Sequence, residues 1–536
     1  MVIEDFLKNN KVYYPVSLVI CFLLSLVFKY KEGTILPGNL FIPFVVLVLG
    51  YCFYYVYRKK IKDKRLIIVL IFFVLLSFLL YILCNYSLDN RTAMVIMTLA
   101  LLSICGLLVF SDGSLELNKK IFVFLFLTGF VIRLLYVLYT SWNDRQHDIG
   151  NLVEKNGHSG YMLYLLNNKH LPDFDPTTVW QFYHPPLHHF LAAVWMFLHQ
   201  IFSFDTEALL ESVQFLTMFY SLSCTKIFNE VLEEYGIEGK YKTLAFGLFA
   251  LCPEMIFLSG QINNDVLSFV FIMLIFLWTV RWIKNREIKN IVPIALSFGF
   301  GMMSKLSVAS MAFPVGIIFA YFFFRSFKEK NTSSLFKQYV VFLLICAPIG
   351  LWWSVRCYLK WDMPLNYVPR FSDDSWQYIG EGYVNPLSRL LRPKFTSIFT
   401  DKDPLDYNMI IALFKTWLFG EYDFRYSPIY RFIYYPLFIS NFLIIMYSII
   451  EYFRNLRSHK VENVFMNIVV LISMVSYIYF CYAFPHLCTM HIRYSLIIIP
   501  IVHMLFVMNA KGNDMIRTIL AMINVVSSVL MFLFVV

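Results

Sequence analysis

Between Ser141 and Tyr183 the chain carries a dense set of groups able to bind or move a proton: Asp144, His147, Asp148, Glu154, His158 and Tyr161, followed by His184. A carboxylate such as Asp148 can take the proton of a hydroxyl brought within hydrogen-bond reach. A lone loop acid is usually just solvated, so it is the neighbouring groups that single out Asp148. Histidines 184, 188, 189 and 199 raise the question of a metal. His188 and His189 are adjacent, however, and point to different faces of a helix, so they do not share an ion. The ten cysteines contain no Cys-x-x-Cys pair, and neither a zinc site nor a disulfide framework is indicated. No metal-ligand set is expected; a divalent cation at Asp148 and Asp265 is left open but is not supported by spacing.

The elements that must position these groups are apolar helices. Of 536 residues, 59% are hydrophobic, 19% aromatic and only 15% charged, where a soluble domain carries about 25% charged residues. Runs of about twenty apolar residues recur from end to end, each long enough to cross a bilayer. The chain reads as an all-α polytopic membrane protein of about fifteen spans. Its net charge of +10 does not point to nucleic acid, because the basic residues cluster in short loops where they set orientation. Arg58 to Arg65, Lys119 and Lys120, Arg281 to Lys289, Arg325 to Lys337 and Arg454 to Lys460 are then cytoplasmic, as is the N-terminus. The first span, about Tyr14 to Phe28, lacks a small-residue cleavage site, so no cleavable signal peptide is expected.

Parity then places 141–183 outside and gives the apolar stretch 187–204 two outer ends. It should lie along the interface or re-enter. Two outer loops are long, about 141–208 and about 356–428, and such loops are uncommon unless functional. Polar residues gather at outer span ends rather than at mid-depth. A transporter or lipid flippase, the alternative class, would show paired repeats, broken helices and midplane charges, and none is evident. Arg133, inside the fifth span, is expected to pair with a carboxylate. Lys415 to Gly420 reads as an amphipathic stretch lying over a cleft.

Several motifs occur in order along this topology. Asp148 follows an early span, Tyr183-His184-Pro185-Pro186-Leu187 closes the first outer loop, and Ser259-Gly260-Gln261-Ile262-Asn263-Asn264-Asp265-Val266-Leu267 comes later. Met303-Ser304-Lys305-Leu306-Ser307, Trp352-Trp353-Ser354-Val355-Arg356 with Lys360 to Leu365, and His491-Ile492-Arg493-Tyr494 follow. Together they resemble the GT-C glycosyltransferases, in the branch of protein O-mannosyltransferases and aminoarabinose transferases. The resemblance runs from about Ile121 to the C-terminus. It implies a GT-C-like bundle at 119–536, preceded by a four-span extension at 1–118.

The resemblance further implies a polyprenyl-phosphate sugar donor and a hydroxyl acceptor (protein, glycan or envelope polymer) on the extracytoplasmic side, in a membrane-lipid setting. Asp148 aligns with the family's loop acid, although Ile149 stands where a second acid is common. The departing phosphate needs cations; Arg493, Arg356 and Lys305 are the candidates, since an arginine fork holds phosphate oxygens bidentately. Asn264 and Asp265 either bind sugar or cap a helix. His147, His184 and Tyr494 complete the expected binding set. The Asn, Lys, Ile and Phe bias suits an AT-rich bacterial genome, hence a bacterial plasma membrane.

Overall fold

The computed structural model describes residues 6, 9–28, 90–110, 113, 115–329, 332–370, 372, 374–375, 377–379, 385–392, 395, 397–399, 408–422, 424, 428–510, 512 and 514–536. The basic cluster at 58–65, the expected spans between 29 and 89 and much of the second long loop lie outside the described residues. Within them the chain is helical, and the one β pairing among them is an isolated bridge between Tyr378 and His486.

Eight helices are long and apolar enough to cross a membrane, or ten if each of two bent pairs counts as one span. They include α1 (Asn10–Val27), α2 (Leu117–Tyr139), α3 (Asp265–Lys284), α4 (Thr332–Trp361), α5 (Val461–Ala483) and α6 (Met515–Phe534). Thr206–Glu234 and Ile288–Ser304 stand where two further spans are expected. The bent pairs are Gly239–Ala250 with Pro253–Gly260 and Leu487–Ser495 with Ile498–Val507, each turned by 53°. Broken helices, not anticipated from the sequence, are therefore present. In the first, Pro253 opens the second segment, a position where its missing N–H costs nothing.

The helix Leu187–Gln200 has 14 residues, about 21 Å at 1.5 Å per residue, too short for a hydrocarbon core of about 30 Å. One face buries His188, His189, Ala192, Trp195, Met196 and His199, while Phe190, Val194, Phe197 and Leu198 remain exposed. A buried polar-aromatic face and an apolar outer face suit a helix lying against the bundle rather than through it.

Two expectations are corrected. Arg133 meets no carboxylate among the described residues: it donates to the Ser221 hydroxyl at 2.9 Å and to the carbonyls of Gly129 and Ala250 at 3.0 and 2.5 Å. Carbonyls stranded by the break after Ala250 need donors, and the arginine supplies one. The stretch Lys415 to Gly420 belongs to a helix, Met409–Phe419, that is capped by Asn408 and buries most of its length, Lys415 included. It is packed into the bundle instead of lying over it.

Candidate functional site

At the end of the bundle that carries the 141–205 loop, residues far apart in sequence converge. Asp148 adopts φ +58°, a left-handed conformation that Asp tolerates better than most residues. Its carbonyl accepts the His158 N–H at 3.1 Å, and the Ile149 carbonyl accepts the Ser159 N–H at 3.0 Å. The first N–H groups of the helix Gly157–Asn168 thus hold the loop backbone. Gln146 grips the neighbouring wall twice, donating to the Gly260 carbonyl at 2.8 Å and accepting the Ile262 N–H at 2.9 Å.

This arrangement aims the Asp148 carboxylate at Arg493, whose Nη1 donates to Asp148 Oδ2 at 3.2 Å. The same nitrogen lies 3.7 Å from Asp265 Oδ2, and Lys305 Nζ donates to Asp265 Oδ1. The chain of charges is Asp148, Arg493, Asp265, Lys305. Asp265, the first residue of α3, does not cap its helix; its carboxylate is taken by the two cations. The side chains of Arg493 and Asp265 are 4% and 3% exposed while that of Asp148 is 32% exposed, so Asp148 is the member that an incoming molecule can reach. Arg493 Nε is buried with no hydrogen-bond partner among the described residues. Both cations lie over the Tyr494 ring, Lys305 Nζ at 5.5 Å and the Arg493 guanidinium at 4.9 Å from its centroid.

Of a second layer, the sequence reading singled out His147 but not Glu254, Glu421 or Tyr422. His491 Nδ1 accepts the Arg493 N–H at 3.0 Å, and Glu254 Oε1 lies 3.8 Å from that nitrogen. The two bent pairs therefore meet here. His147 packs edge-on to His491, 5.1 Å between centroids, with Glu421 Oε2 at 3.7 Å and the Tyr422 hydroxyl at 3.4 Å. Burial pushes the Glu421 carboxyl up to about 7, with Arg493 opposing and Asp148 adding to the rise. Burial, then Arg493 and Lys305, hold the His147 imidazole well below its usual range. Near neutral pH the two are not a full ion pair. Glu254 did leave a signal, an acid inside an otherwise apolar run.

His184 stacks on His158 at 5.5 Å, and His158 Nδ1 is 2.9 Å from His189 Nε2. Burial and mutual repulsion keep these imidazoles far below their usual range, so the stack is neutral. Asn264 donates its amide to the Ser304 carbonyl at 3.0 Å, docking the start of α3 against the residue before Lys305. Arg356 stands apart. Rather than lying past its span it falls inside α4, where it donates to the Pro172 carbonyl at 2.6 Å and lies over Trp353 and Trp361. It braces the first loop.

Among the described residues no group of three His, Cys, Asp or Glu side chains is placed to hold a metal ion. The carboxylates of Asp148 and Asp265 are turned to Arg493 and Lys305.

Residues 183–353 match the family of dolichyl-phosphate-mannose-protein mannosyltransferases. The chain is similar to membrane glycosyltransferases over that stretch. The match contains His184, Asn264, Asp265 and Lys305, while Asp148, Arg356 and Arg493 fall outside it. No curated protein compared with the chain matches it.

Proposed function

We propose that the protein is an integral-membrane glycosyltransferase that moves a sugar from a polyprenyl-phosphate donor to a hydroxyl acceptor. The observation that carries this reading is the partly exposed carboxylate of Asp148 beside the more buried Arg493–Asp265–Lys305 chain. A carboxylate next to cations supports displacement at a sugar phosphate, which needs a base and a partner for the departing phosphate. The acceptor oxygen attacks the anomeric carbon from the face opposite the phosphate and its proton passes to Asp148. The carbon–oxygen bond to phosphate breaks, and the polyprenyl phosphate leaves against Arg493 and Lys305 with inversion. Arg493 Nε has no hydrogen-bond partner among the described residues, which supports its use as a donor to a phosphate oxygen once the cleft admits one.

The basic loops at the far end support an extracytoplasmic site and a cytoplasmic N-terminus in a bacterial plasma membrane. In this reading 119–536 is the catalytic core and 1–118 an extension. The broken helices also suit a transporter or lipid flippase. Here, though, both breaks deliver side chains to the Asp148 cluster. The deciding experiment follows donor consumption by purified wild type and Asp148→Asn across a panel of polyprenyl-phosphate sugars. Consumption by wild type alone supports the proposal. Equal consumption removes Asp148 as base. If no donor is consumed, yet labelled lipid or solute crosses vesicles, the transporter replaces the transferase.

A further inference from the structure

At the opposite end of the bundle three connecting turns enclose a cavity of about 600 Å³. They are 235–238, 455–460 and 508–510, and they are pinned together across long sequence distances. The Tyr235 hydroxyl donates to the Glu462 carbonyl at 2.8 Å, the Tyr241 hydroxyl to the Gly512 carbonyl at 2.8 Å, and the Asn509 amide to Glu451 Oε2 at 3.1 Å. These bonds make it a built cavity and not a loose gap between loops. A volume of this size accommodates a small-molecule group.

Its charge is one-sided. Arg454, Arg457 and Lys460 line it, and Glu238 is the one acid among its described lining residues. Arg454 is committed to Glu451, which Arg517 already engages at 2.9 Å. Neither Arg457 nor Lys460 forms an ion pair with an acid among the described residues. Two uncompensated cations in a concavity call for an anion, and guanidinium with ammonium suits phosphate oxygens. The same turn exposes Phe453 and Leu456, and Val464 follows on the next helix. These apolar side chains flank cations at the ends of two candidate membrane spans, which is the pattern of a surface that takes a headgroup together with the start of its chains.

We propose that this cavity binds the phosphate headgroup of an anionic membrane lipid, a site separate from the Asp148 cluster and independent of the transferase reading. The test uses native mass spectrometry of the full chain in detergent, titrated with phosphatidylglycerol, phosphatidylcholine or inorganic phosphate. Wild type should retain phosphatidylglycerol about thirtyfold more tightly than the Arg457→Gln/Lys460→Gln variant, on the scale expected for two basic residues near anionic headgroups. Phosphatidylcholine should show no such difference. Lys289→Gln, an exposed lysine elsewhere, should behave as wild type. Both positions in the double variant are exposed, so its fold is not at stake. Equal retention of phosphatidylglycerol by wild type and the double variant overturns the site. Displacement of the lipid by millimolar inorganic phosphate overturns the lipid as its source and assigns the same cations to a soluble phosphate ester.

Discussion

Asp148 and Arg493 stand 345 residues apart in the chain and meet at 3.2 Å through one guanidinium nitrogen, which also lies 3.7 Å from Asp265. One arginine thus serves two carboxylates of opposite character, the first reachable from outside and the second sealed.

The difference in exposure separates activity from stability. Asp148 is the partly exposed member of its pair, and without it Arg493 keeps Asp265 as a partner, so Asp148→Asn should lower the melting temperature in detergent far less than loss of Asp265. Its donor turnover should fall by about 100- to 10,000-fold, the range of a positioned general base. Parallel melting and turnover measurements check both halves.

Asp265 should behave in the opposite sense. Removing this buried carboxylate leaves Lys305 without its partner and Arg493 with Asp148 alone, a loss of about 3–5 kcal/mol. Asp265→Ala should therefore melt much earlier than wild type. Asp265→Asn combined with Lys305→Met, which removes both charges of the inner pair, should recover part of that loss. Strict additivity of the single variants would show that the pair is not coupled.

Arg493→Lys keeps a charge but loses the planar fork. If Arg493 donates to the leaving phosphate, losing one charge-assisted hydrogen bond should lower kcat/KM for the donor by about 10- to 100-fold. Steady-state kinetics with varied donor give the answer, and an unchanged value would leave Arg493 as a purely structural partner of Asp148.

Glu421 predicts a pH dependence of stability. The folded protein holds this proton up to about 7, whereas an unfolded chain releases it near the ordinary glutamate value of 4.5. The folded state then binds more protons than the unfolded one between 4.5 and 7, and stability declines as pH rises through that window. Glu421→Gln should flatten this part of a melting-temperature profile and leave the region below 4.5 as it was.

Gly150 turns the loop two residues after Asp148 at φ +80°, with the Asn156 backbone carbonyl where a Cβ would sit. Gly150→Ala should cost more than about 1 kcal/mol and displace Asp148. A lower melting temperature with a loss of turnover would be the result, and wild-type turnover would show that the loop adapts.

The spans were readable because a twenty-residue apolar run has few other structures open to it. Asp265, Lys305 and Arg493 were readable as polar residues at span ends, and Asp148 by its place after one. Their pairing was not, since nothing local in a sequence says that residue 493 closes on residue 148. Arg133 was misjudged for a related reason: its acceptors are backbone carbonyls freed by a helix break, and carbonyls have no letter in the sequence. Lys415 was misread because a lysine in an apolar segment resembles the polar edge of a surface helix, whereas here it is buried. Glu421 sits in the long second loop, where composition alone cannot say which residues fold back against the bundle.

Because Arg493 is joined to Asp148 and Asp265 across most of the chain, the order of synthesis matters. A ribosome releases both acids and Lys305 well before it makes the arginine. Until the last helices enter the membrane, two carboxylates share a single ammonium group. The pocket is finished at the same moment as the bundle, so a chain stalled or cut before residue 493 would be incompletely assembled and without its site.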